Sequence, residues 1–148
     1  MQTIRIARLR PDAVMPTRKH PQDAGMDLYA VEACTLAPHA SAIVPTGVTI
    51  DIPAGFVGLV KPKGRSDHLV GAGVVDAGYQ GEILVKVVNP YDRPLEIQPG
   101  DAISQLLILP VETPRIEEVS AAEIHRQRSA RGASGGIVGQ HEGPAGKS

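Results

Sequence analysis

Gly64, Arg65 and Ser66 follow one another in "KPKGRSDHL" (61–69), directly after a strand-like run. A guanidinium, a hydroxyl and open backbone amides form an anion site, and the same residues also make an ordinary charged turn. A second basic cluster, Arg126, Arg128 and Arg131, leads into "GASGGIVG", where glycine leaves the backbone free to wrap around a ligand. Guanidinium groups beside exposed amides suit a polyphosphate. A glycine-rich terminus without any task has the same composition.

Polar residues also interrupt three apolar stretches. In "GVVDAGYQGEI" (73–83) Asp76 and Tyr79 occupy the tip of what reads as a hairpin, where Asp and Gly alone would make a turn. Asp27 lies inside "DAGMDLYA" (23–30), as a site residue or as the charge that keeps an edge strand from pairing. Gln105 stands among aliphatics in "PGDAISQLLILP" (99–110), and as a strand residue it can point outward on the pleat. Cys34, the single cysteine, reads as core filler, and the five histidines lack zinc-like spacing.

The elements that must hold these residues are β-strands. Short runs rich in Val, Ile and Leu ("IRIARL", "SAIVPTGVTIDI", "GFVGLVK", "EILVKVVN", "PLEI", "AISQLLILPV") alternate with turns built from 16 glycines and 13 prolines. That spacing predicts an all-β sandwich or barrel of jelly-roll type. One helix is expected from Ser120, where Ser120 and Glu123 form a capping-box pattern. Residues 1–128 read as a single β domain, and 129–148 as a flexible Gly-rich C-terminal arm.

Composition excludes several function classes. A net charge of −1 gives no basic footprint for nucleic acid. With no Trp and one Phe there is no aromatic platform for single strands. No apolar run suggests a membrane span or signal peptide, and a lone cysteine suits a reducing cytoplasm.

Taken in order, "AGMDLYA", "VPTGVTIDIPAGFVGLVKPKGRS", "GVVDAGYQGEILVKVVN", "GDAISQLLI" and "RGASGGIVG" resemble the five motifs of the trimeric dUTP diphosphatases (dUTPases) along nearly the whole chain. The resemblance implies a jelly-roll homotrimer with shared active sites that hydrolyses dUTP to dUMP and pyrophosphate. It implies Asp76 as the base that activates water, and Tyr79 under the deoxyribose, leaving no room for a 2′-hydroxyl. Gly73, Val74, Val75 and Leu84 would read the uracil edge with their backbone while their side chains face the core. Arg65, Ser66 and Gln105 would serve the phosphates, with Arg65 paired to a site-shaping Asp27. Arg131 would reach the terminal phosphate, and Ile137 would cover the base. Mg²⁺ would sit on phosphate oxygens and water without a direct protein ligand, Asp27 acting through water.

Two motifs depart from the family pattern. "DHLVGAGVVD" after the second motif puts Asp67 beside a polyanion site and shortens the connection to the third. The fifth motif offers Ile137 where the family stacks an aromatic ring. Two alternatives share the fold: a dCTP deaminase-related enzyme, and a weakly active regulatory or interaction protein.

Overall fold

Alternate burial runs along the strands as the period-2 pattern demands. The computed structural model describes residues 3–64 and 67–125. Its strands are β1 (Arg5–Arg8), β2 (Gly25–Tyr29), β3 (Cys34–Leu36), β4 (Ser41–Pro45), β5 (Val48–Asp51) and β6 (Phe56–Lys61). They continue as β7 (Leu69–Val70), β8 (Gly73–Val75), β9 (Leu84–Val88), β10 (Leu95–Ile97) and β11 (Ala102–Pro110). The chain divides into two compact units, Met1–Thr113 and Pro114–Ser148. All the strands belong to the first.

Four sheets form an all-β, jelly-roll-like fold. The largest has the order β2-β11-β6-β8, and a second runs β4-β9-β7; β1-β5 and β10-β3 are two-stranded. All of these pairings are antiparallel. Leu28, Ile50, Val85, Val87, Ile103 and Leu106 are essentially inaccessible and anchor one aliphatic core. Cys34 packs against that core from a half-buried position.

The run "SAIVPTGVTIDI" is two strands rather than one. Thr46 and Gly47 break it, and Gly47 takes φ +71, a left-handed conformation that glycine adopts without penalty. In the second unit the expected helix is a single turn, α1 (Ala121–Ile124). Ser120 makes no side-chain capping bond there, so the capping box does not form; only a backbone bond from Glu123 to the Ser120 carbonyl closes the turn. No helix among the described residues is long and apolar enough to cross a membrane.

Candidate active site

Residues 73–83 do not form a hairpin. β8 pairs with β6 at the edge of the four-stranded sheet, whereas β9 pairs with β4 and β7 in another sheet. The intervening residues 76–83 cross from one sheet to the other. Strand-flanked turn residues suggested local pairing, but each strand found a better-matched partner elsewhere in the chain.

The crossing is clamped along its length to β5 and its neighbours. Gly78 N–H donates to the Ile52 carbonyl at 3.2 Å, and Ile83 N–H to the Val48 carbonyl at 2.9 Å. Thr49 Oγ1 donates to the Gly81 carbonyl at 2.8 Å, and Thr46 Oγ1 to the Ile83 carbonyl at 2.6 Å. The Glu82 carboxylate accepts the Gly47 N–H at 2.9 Å. A segment with so many fixed backbone groups holds its side chains in place without a ligand.

Asp76 and Tyr79 are set by one turn within that crossing: Tyr79 N–H donates to the Asp76 carbonyl at 3.1 Å, and Gly78 between them takes φ +80. The Tyr79 hydroxyl then donates to the Glu82 carbonyl at 2.8 Å, so the ring lies back over its own loop. Gly81 leaves space for it. Asp76 is exposed, and its carboxylate has no hydrogen bond or ion pair among the described residues. It is a base with no competing partner.

Beside this turn lies a cavity of about 190 Å³ bounded by Val60, Gly73, Val74, Val75, Tyr79, Glu82, Ile83 and Leu84. Every residue expected to surround a base is therefore at one cavity. Their side chains are arranged differently from expectation. Val75 is buried, but Val74 is 65% and Leu84 49% exposed. Adjacent strand residues must point to opposite faces, so Val74 and Val75 cannot both reach the core, and Leu84 is opposed to buried Val85 in the same way. As an edge strand β8 keeps a row of unpaired backbone groups, and Leu84 lies beyond the Val87–Val88 segment that β7 covers.

A second group of polar residues gathers at the exit of β6. Asp27 on β2 faces Gln105 on β11, which in turn faces Lys61 on β6. On its other side Asp27 N–H donates to the Thr17 carbonyl at 2.7 Å. Lys63 Nζ lies 2.5 Å from Asp27 Oδ1, both side chains being about a quarter to a third exposed. Gln105 Nε2 donates to the Pro62 carbonyl at 2.9 Å. Arg65 and Ser66, like Arg131 and Ile137, lie outside the described residues.

His68 was not legible as a site residue. It is buried, and Nε2 is 2.7 Å from the Ile103 carbonyl, which fixes Nε2 as the protonated nitrogen. Asp67 Oδ1 is 3.5 Å from His68 Nδ1. The acid that seemed misplaced beside a polyanion site thus has a neighbour of its own.

A family model for dUTPases matches residues 11–135. The chain belongs to the dUTPase family. It is 41% identical over 147 residues to the deoxyuridine 5′-triphosphate nucleotidohydrolase of Mycolicibacterium vanbaalenii, covering 90% of this chain and 96% of that protein. The Mycobacterium tuberculosis protein of the same name is also 41% identical, with the same coverage. Among solved structures, the dUTPase of Staphylococcus bacteriophage 80alpha with dUpNHpp has a TM-score of 0.82 at 28% identity, covering 91% of this chain and 96% of that one. A dUTPase from phage phi11 of S. aureus, described as coordinating a structural Mg(II) ion, has a TM-score of 0.75 at 28% identity, covering 80% and 97%.

Proposed function

We propose that this member of the dUTPase family hydrolyses dUTP to dUMP and pyrophosphate, with Asp76 as general base. The observation that carries the reading is the placement of Asp76 and Tyr79 in one clamped turn beside the cavity between β8 and β9. Asp76 accepts a proton from water as the water oxygen bonds to the α-phosphorus, and the bond to the bridging oxygen breaks to release pyrophosphate. A positioned carboxylate supplies about 10²–10⁴-fold in such a step.

Selectivity follows from the cavity's walls. The Tyr79 ring, held by its hydroxyl, rejects a 2′-hydroxyl by steric clash, which needs no added binding energy. Backbone amides and carbonyls of Gly73, Val74, Val75 and Leu84 read the base edge. Cytosine presents a donor where uracil presents an acceptor, and each buried mismatch costs about 1–3 kcal/mol.

Gln105, Arg65 and Ser66 serve the phosphate chain; Arg131 and Ile137, from the C-terminal arm, close on the terminal phosphate and the base. The donors at hand fit Mg²⁺: carboxylates at Asp27 and Asp76 are hard oxygens, and the triphosphate brings more. When bound, the ion neutralises charge on phosphate oxygens, with Asp27 acting through water.

The enzyme acts as a homotrimer in the cytoplasm. Val74, Leu84, Ile43 and Leu69, each about half exposed or more in the single chain, supply apolar surface for such assembly.

The test is product analysis with dUTP, dCTP and UTP in Mg²⁺ buffer. Pyrophosphate from dUTP, with UTP and dCTP poorly used, is expected. Ammonia from dCTP would point to a deaminase, and neither product would overturn the enzymatic reading.

A further inference from the structure

The motif pattern pairs Asp27 with Arg65, yet the cation on Asp27 Oδ1 is Lys63, which follows the last strand residue of β6 by two positions. The ion pair is partly buried and joins residues 36 apart in sequence. Beside it, Gln105 Nε2 bonds the Pro62 carbonyl, one residue before Lys63. Both bonds pull the same short segment, 62–63, towards the β2–β11 pair.

Gly25 explains how Gln105 reaches that position. Gly25 opens β2, and a Cβ built on it would lie 2.0 Å from Gln105 Oε1 and 2.9 Å from Cδ. The amide occupies the volume that any other residue at 25 would fill. With no positive φ at this position, the backbone itself would accept alanine. The need for glycine is therefore the need for room beside Gln105.

We propose that Lys63, rather than Arg65, is the positioning residue that seats Asp27, and that Lys63–Asp27 and Gln105–Pro62 together form a brace holding the phosphate-binding segment 64–66 in register. The proposal rests on the reading of this site as a triphosphate pocket. A carboxamide nitrogen carries two hydrogens. One is used on Pro62, and the other remains for a phosphate oxygen, so Gln105 both holds the segment and touches substrate. The lysine acts through Asp27 and needs no substrate contact.

Two readouts test this, one of them independent of turnover. In the unliganded protein at constant pH, the ¹³C signal of the Asp27 carboxyl moves in Lys63→Met and stays in place in Arg65→Met; the opposite result overturns the pairing. With dUTP, Lys63→Met lowers kcat by roughly 10–10²-fold, the scale of a small misplacement of bound substrate, while dUMP affinity is unchanged. Lys63→Arg recovers most of that loss, which a merely stabilising lysine would not predict for a split between kcat and dUMP binding.

Gly25→Ala displaces the Gln105 amide and produces the same kcat loss in a protein that melts normally. Wild-type kcat in either Lys63→Met or Gly25→Ala overturns the brace. If the wild-type protein releases no pyrophosphate from dUTP, the functional reading fails instead, and the carboxyl signal still decides which cation holds Asp27.

Discussion

His68 Nε2 donates to the Ile103 carbonyl at 2.7 Å, and Ile103 is the residue at which the β11–β2 ladder slips. Ala102 faces Tyr29 and Ser104 faces Leu28, so Ile103 is the extra residue of a β-bulge. Pairing of β11 with β6 begins only at Gln105. The imidazole thus satisfies a carbonyl that neither ladder reaches, and it steadies the strand two residues before Gln105.

His68→Leu should therefore destabilise the fold by about 1–3 kcal/mol, the cost of a buried carbonyl left without a donor. His68→Gln, which keeps an N–H, should recover part of the loss. Thermal melting of the two variants checks this, and an unchanged midpoint in His68→Leu would contradict the assigned bond.

Ser104 makes the opposite case on the same strand. Its hydroxyl is buried without a hydrogen-bond partner among the described residues. Ser104→Ala removes an unsatisfied group and leaves the backbone ladder alone, so stability should rise by about 1 kcal/mol, or about 3–6 °C in melting midpoint. A lowered midpoint would show that the hydroxyl has a partner.

Sequence alone discloses what is periodic and local. β2 and β9 alternate buried and exposed positions cleanly, and both were legible as strands. β3 and β7, at three and two residues, are too short to display a period. The cavity residues were legible as a set because they lie within one stretch of chain. The sheet to which each strand belongs was not, since pairing is decided by partners far away. Lys63 and His68 were missed for the same reason: their partners, Asp27 and Ile103, are 36 and 35 residues distant.

Asp76→Asn should lower kcat for dUTP by about 10²–10⁴-fold, because an amide can occupy the carboxylate's place but cannot take the proton. Asp76 is exposed, so the variant should fold and bind dUMP as the parent does. Calorimetric titration with dUMP separates the two effects. Near-normal turnover would remove Asp76 from the mechanism.

Gly81→Ala tests how Tyr79 selects the sugar. A Cβ on Gly81 would lie 2.4 Å from the Tyr79 hydroxyl oxygen and 2.6 Å from Cζ, so the ring must move and its bond to the Glu82 carbonyl must break. The backbone at Gly81 needs no left-handed conformation, so the variant should fold normally. Once the ring is displaced, the clash with a 2′-hydroxyl weakens. The ratio of kcat/KM for dUTP over UTP should then fall by about tenfold, which corresponds to about 1.4 kcal/mol of discrimination. Tyr79→Phe keeps the ring and loses only the hydroxyl bond, so it should shift the ratio less than Gly81→Ala. If Gly81→Ala discriminates as the parent does, the ring does not guard the 2′ position, and selection against UTP must come from the strand edges of β8 and β9.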